Sequence, residues 1–130
     1  MHLDVEKTIH YWLESAEYDL ETGRSLISIG RFPYALFFGH LALEKLLKAL
    51  VVEKTKEHAP FTHSLTFLAE KTGLEISEQL MDRLAEFTEF NIETRYPGER
   101  KDFYQKCTEE FTKEKFRAIE EAFKWFRQRL

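Results

Sequence analysis

The sequence predicts an all-α protein, an up-and-down bundle of four longer helices plus one short helix, with residues 1–130 as a single domain. Three observations predict it. Apolar residues recur at steps of three and four over long stretches, which is the spacing of one helix face. No segment alternates with period two for long enough to make a strand. Proline occurs only at positions 33, 60 and 97 and glycine is equally sparse, so the few breakers divide the chain into helices rather than into turns and short strands.

The elements follow in order. Ile9, Trp12, Leu13, Ala16, Leu20, Gly23 and Ile27 form the stripe of an amphipathic helix from about Asp4 to Ile29, which Gly30 ends as a cap. Pro33 suits the first turn of a second helix that runs to about Glu53. That helix is apolar on nearly every side: Phe37, Phe38, Leu41, Leu43, Leu46, Leu47, Leu50 and Val51 cannot all face one neighbour. It is expected at the centre of the bundle and at a subunit interface, which predicts a homodimer.

A charged loop from Lys54 to Thr62 leads to a short helix with Thr62 as its expected N-cap and Gly73 as its end. Ser77 and Glu78 begin a helix carrying Leu80, Leu84, Phe87 and Asn91 on one stripe. Pro97 and Gly98 are expected to stop it near Arg95, because the residue before a proline is pushed away from helical angles. The last helix is expected to start loosely around Asp102, with Phe116, Ile119, Phe123, Phe126 and Leu130 buried. Its final turn carries Lys124, Arg127 and Arg129, which complement the negative end of the helix dipole.

Composition excludes several classes of function. Hydrophobic residues make up 43% of the chain and aromatics 15%, enough to build a core without disulfides or metals. The single cysteine, Cys107, and the absence of a Cys/His cluster at ligand spacing exclude a disulfide framework and a structural zinc site, so no cofactor is expected. A net charge of −4 argues against holding long nucleic acid by bulk electrostatics. No apolar run is long enough for a membrane span, and Met1 to Glu6 does not read as a signal peptide; the cytoplasm is the expected compartment. One Asn and three Gln against 32% charged residues lean toward a thermophile source.

Two clusters carry candidate chemistry. His40, Glu44 and Lys48 share one stripe of the otherwise oily second helix. Charge buried there alone costs several kcal/mol, so these groups need each other, another helix, solvent or a ligand. The plainer expectation is a solvated Glu44–Lys48 pair at the edge of an interface. Asn91, Thr94, Arg95 and Tyr96 stand before the Pro97-Gly98 turn, where an Arg offers an anion a guanidinium fork and a Tyr offers a base a stacking face. Arg95 is expected to lie against a carboxylate of the central helices, Glu44 above all. The plainer alternative is that Arg95 caps carbonyls of its own helix. His63 is read as a first-turn residue whose neutral ring packs and hydrogen-bonds.

Ala16-Glu17-Tyr18-Asp19-Leu20, the run His40-Leu41-Ala42-Leu43-Glu44-Lys45-Leu46-Leu47-Lys48-Ala49-Leu50, His63-Ser64-Leu65 with Leu68, and Thr94-Arg95-Tyr96-Pro97 together resemble the HEPN domain family in order and spacing, over essentially the whole chain. The resemblance implies a helical bundle that forms homodimers and is encoded beside a minimal nucleotidyltransferase, similar to the helical domain fused to kanamycin nucleotidyltransferase. It also implies metal-independent ribonuclease activity in those members that carry an Arg followed, after four to six residues, by a His, some of them toxins in toxin–antitoxin pairs. Histidines occur here only at 2, 10, 40, 58 and 63, so Arg95 meets Arg100, Lys101 and Asp102 where the His should fall. The expected function is therefore a non-catalytic nucleotide- or partner-binding module using Arg95, Tyr96, Glu44, Lys48 and His40. Its expected partners are a second copy, a minimal nucleotidyltransferase and a nucleotide, ahead of RNA. The alternative is a ribonuclease toxin with an atypical site.

Overall fold

A computed structural model describes residues 3–130, so the reading of the extreme N-terminus at Met1 and His2 lies outside the described residues. Helix α1 spans Val5–Ser28 and α2 spans Phe32–Thr55. They form an antiparallel hairpin, because only residues 29–31 join them, and Gly30 takes a left-handed φ of 76° in that turn. Asp4 caps α1 by accepting a hydrogen bond from the Lys7 amide at 3.0 Å. Lys56, at φ 60°, closes α2.

The remaining helices wrap α2. The short α3 is Leu65–Lys71, α4 is Glu78–Thr88, α5 is Pro97–Lys106 and α6 is Glu109–Arg127, with a single 3₁₀ turn at Ile92–Thr94 before α5. Helix α6 packs along α2 and touches α1, while α3 packs on both α2 and α4, whose Leu84 and Phe87 enter the same core. Two glycines allow the close approach of α6. A Cβ at Gly23 would sit 2.6 Å from the Phe116 ring, and one at Gly39 would sit 2.8 Å from Ile119 Cδ1. Gly39, which looks like a breaker in sequence, lies in the middle of α2 for this packing reason.

Helix α2 is the hub of the core. Leu36, Leu43, Leu46 and Leu47 are wholly buried, and Phe37 nearly so. The apolar sides that predicted a subunit interface are therefore covered by the chain's own α1, α3 and α6, with Phe38 and Leu41 half-buried against the same core. The homodimer loses its argument from a bare α2.

Several local expectations are corrected. The N-cap of α3 is Ser64, whose Oγ accepts from the Phe67 amide at 3.2 Å; Thr62 instead accepts from the Ser64 amide at 3.1 Å. Helix α4 ends at Thr88 rather than near Arg95. The cause is Phe90, which turns inward to 3% exposure and joins rings with Phe87, Phe103 and Phe111. Burying that ring, a gain of roughly 1.5–3 kcal/mol, outweighs the local preference to continue the helix. Pro97 does not follow a helix but opens one, at a position where its missing N–H has no partner to lose. The expected loose start near Asp102 is thus the middle of α5, and α6 begins cleanly with Thr108 as its cap.

Candidate functional site

The spacing of His40, Glu44 and Lys48 puts all three on one face of α2, and the fold presses that face against the loop that precedes α3. His40 is completely buried, Glu44 is 4% exposed and Lys48 is 7% exposed, so Glu44 and Lys48 form an interior pair and not the solvated one expected at an interface edge. Lys48 Nζ donates to Glu44 Oε2 at 3.1 Å. The other carboxylate oxygen, Oε1, accepts from His63 Nδ1 at 2.9 Å. His40 Nε2 lies 3.9 Å from that same oxygen and 3.0 Å from the His63 carbonyl.

Proton positions follow from the partners. A carbonyl oxygen only accepts, so His40 carries its proton on Nε2, and burial away from water lowers its pKa and keeps it neutral. The His63 backbone and the Glu44 charge pull in the opposite direction, more weakly. Among the described residues His40 Nδ1 has no hydrogen-bond partner. A carboxylate likewise only accepts, so His63 Nδ1 carries a proton and donates it to Glu44. The His63 side chain is 47% exposed, so this edge reaches solvent.

Aromatic rings flank the network. Lys48 Nζ sits 5.1 Å from the Trp12 ring of α1, a cation–π contact that helps hold a buried ammonium. Phe61, 96% exposed, has its ring centroid 6.1 Å from the His63 ring. Trp12 also lines, with Tyr11, Lys7 and His58, a depression of about 350 Å³.

The Arg95 corner is built differently. Arg95 does not reach Glu44. Its Nε donates to the Glu89 carbonyl at 2.9 Å, its Nη2 bonds the same oxygen, and the Glu89 carboxylate lies at 3.4 Å. Its guanidinium lies 4.9 Å from the centre of the Phe103 ring. Arg95 thus caps the end of α4, the plainer of the two expectations, and the physical reason is the early stop at Thr88, which leaves carbonyls within its reach. Asn91 is buried and accepts from the Glu93 amide at 3.2 Å, holding the 3₁₀ turn. Tyr96 is 77% exposed and stands free of the core.

The two predicted clusters are therefore separate. Glu44, Lys48 and His40 are brought together with His63, while Arg95 and Tyr96 form a corner of their own. Sequence reasoning placed His63 among packing residues, on the expectation that it lay inside the short helix. It sits one residue before the Ser64 cap and contributes the outward-facing edge of the network. The signal that pointed to it was its place in the His63-Ser64-Leu65 motif. Cys107 is buried, and burial pushes its thiol up to about 11 against the pull of Lys106 and Arg95, so the thiolate a nucleophile needs is disfavoured there. At the end of α6, Arg129 donates to the Trp125 carbonyl at 2.7 Å, as a helix-end cation should. Among the described residues no group of three or more His, Cys, Asp or Glu is placed to hold a metal ion, and no helix is long and apolar enough to cross a membrane.

Comparison with known proteins agrees with the fold. The family model of the HEPN domain matches residues 9–129. A solved structure described as the crystal structure of TT1696 from Thermus thermophilus superposes with a TM-score of 0.78 at 20% sequence identity, covering 94% of this chain and 98% of that one. No curated protein matches the chain significantly.

Proposed function

Because the chain belongs to the HEPN domain family, we propose that it is a non-catalytic helical module that binds a nucleotide or a protein partner, works with a minimal nucleotidyltransferase subunit, and presents the Glu44 network as its binding face. The observation that carries this reading is the construction of that face. Three ionisable side chains of a core helix are buried and paired, an arrangement that costs desolvation and contributes little net stability. Its one evident product is a His63 ring held in a single orientation at the surface. The test is purification of the native protein under mild conditions with identification of what comes with it: a nucleotidyltransferase polypeptide or a retained nucleotide supports the reading, and a clean apo-protein in repeated preparations opposes it.

A homodimer in the cytoplasm belongs to the same reading, resting on the family and no longer on α2. Light scattering at micromolar concentration tests the dimer. The scarcity of Asn and Gln, joined by cross-helix ion pairs such as Arg24–Glu120 at 2.6 Å and Arg83–Glu121 at 3.1 Å, supports a heat-adapted source.

One observation favours the ribonuclease alternative. Glu44 orients His63 with a free Nε2, which is how a carboxylate positions an imidazole base. A phosphorane-stabilising cation is the missing part, since Arg95 is committed to Glu89 and Phe103 and Lys48 to Glu44 and Trp12.

A further inference from the structure

His63 is anchored at two points more than a loop residue needs. Its carbonyl accepts from the buried His40 at 3.0 Å, and its ring donates to Glu44 at 2.9 Å. In the neutral ring, whose one proton is on Nδ1, Nε2 is a lone-pair nitrogen, and the side chain that carries it is 47% exposed. Such an atom repels a phosphate oxygen and seeks an N–H or O–H donor. Lys48, the ammonium of the cluster, is turned inward onto Glu44 at 3.1 Å, so the polar group that this network shows outward is the His63 ring and not the lysine.

Phe61 stands beside it, 96% exposed, its ring 6.1 Å from the imidazole. A bare flat ring next to a fixed acceptor is complementary to a flat ligand that carries a donor on its edge. Nucleobases have that form: a π face to stack and an exocyclic amino or ring N–H at the rim.

We propose that the Phe61–His63 corner takes the base of a nucleotide, stacked on Phe61 and donating an edge N–H to His63 Nε2, with the phosphate pointing away from the network. This rests on the nucleotide-binding reading and names the end of the nucleotide that the site recognises. The base can come from a free nucleotide or from a single RNA strand, and the chemistry at the corner is the same for both.

The test is a titration of the full-length protein followed by nuclear magnetic resonance, reading the His63 ring nitrogens and the Phe61 amide. The probes are AMP, purine riboside 5′-monophosphate, which lacks the amino group, ribose 5-phosphate, and a six-nucleotide oligoadenylate. AMP is expected to shift the His63 Nε2 signal and to bind roughly tenfold more tightly than either of the other two small probes. Phe61→Ala, a change at a fully exposed side chain that leaves the core intact, is expected to weaken AMP about tenfold, whereas His63→Gln, which keeps an acceptor, weakens it less. Binding of oligoadenylate with no response to AMP also supports the corner and makes a strand the source of the base. If ribose 5-phosphate binds as well as AMP, or if the shifts map to the Arg95–Tyr96 corner, nucleotide binding stands and the placement of the base is overturned. If no probe binds, both fall.

Discussion

The Glu44 network and the Arg95 corner look alike in sequence, each a cationic side chain with a polar and an aromatic neighbour, yet they are wired in opposite ways. Glu44, Lys48, His40 and His63 come from α2 and from a loop nineteen residues beyond Glu44, and three of the four lie in the interior. Arg95 is held by a residue six positions earlier in the chain, and its carboxylate partner Glu89 is 74% exposed. A cluster assembled across elements in low dielectric is sensitive to every member, whereas a local cap at the surface is sensitive mainly to itself.

That contrast is best broken by removing one member from each. Glu44→Ala strips the partner from Lys48 and from His63 at once, leaving an ammonium in the interior, and is expected to cost about 3–5 kcal/mol in urea unfolding. Glu44→Gln, which still accepts hydrogen bonds, should cost less. If Glu44→Ala unfolds within about 1 kcal/mol of the parent, the network is not coupled to the core and the contrast fails. Arg95→Ala removes a carbonyl cap and a ring contact and is expected to cost about 1–2 kcal/mol. A loss as large as that of Glu44→Ala would make the corner a second buried centre.

Acid separates the two regions further. His40 has its pKa lowered from 6.5 chiefly by burial, with His63 and Lys48 acting in the same direction and Glu44 and the His63 backbone against it. A base whose folded pKa is depressed binds fewer protons folded than unfolded, so its contribution is fully present above the unfolded value. Stability is therefore expected to fall as pH drops below 6.5 and to go on falling until the lowered folded value is reached. His40→Gln should flatten that decline relative to the parent, while Arg95→Ala should leave its slope unchanged. Equal slopes in parent and His40→Gln would show that His40 is not the group responsible.

The smallest expected effect is on RNA. Purified protein incubated with transfer RNA and messenger RNA in EDTA should cleave neither above background, because among the described residues His63 is bonded to Glu44 and Arg95 to Glu89, and no hydrogen bond or ion pair joins the two. His63→Ala and Arg95→Ala serve as the matched controls. Cleavage that both substitutions abolish would merge the two regions into one active site and move the ribonuclease reading to first place.

Much of this molecule was legible before folding. The period of 3.6 identified α1, α4 and α6, because a helix that must bury one face writes that face into the chain at fixed spacing, while α2, apolar on nearly every side, was marked by Pro33 and the scarcity of breakers after it. Gly30, Gly73 and Ser77 marked their ends, since caps are local chemistry. The grouping of His40, Glu44 and Lys48 was equally readable, being set by steps of four on one helix. Tertiary structure alone decided the partners. Whether α4 ran on to Arg95 depended on Phe90 finding a cluster of rings from α5 and α6, and that early stop turned Arg95 toward Glu89 instead of Glu44. Whether α2 was left bare depended on α6 approaching closely over Gly23 and Gly39, which a list of apolar residues does not reveal. His63 became part of the network only because the loop before α3 folds back onto α2. Periodicity and capping act within a few residues and are recorded in order along the chain; pairings across the bundle are chosen by competition among distant surfaces, and no local pattern records the outcome.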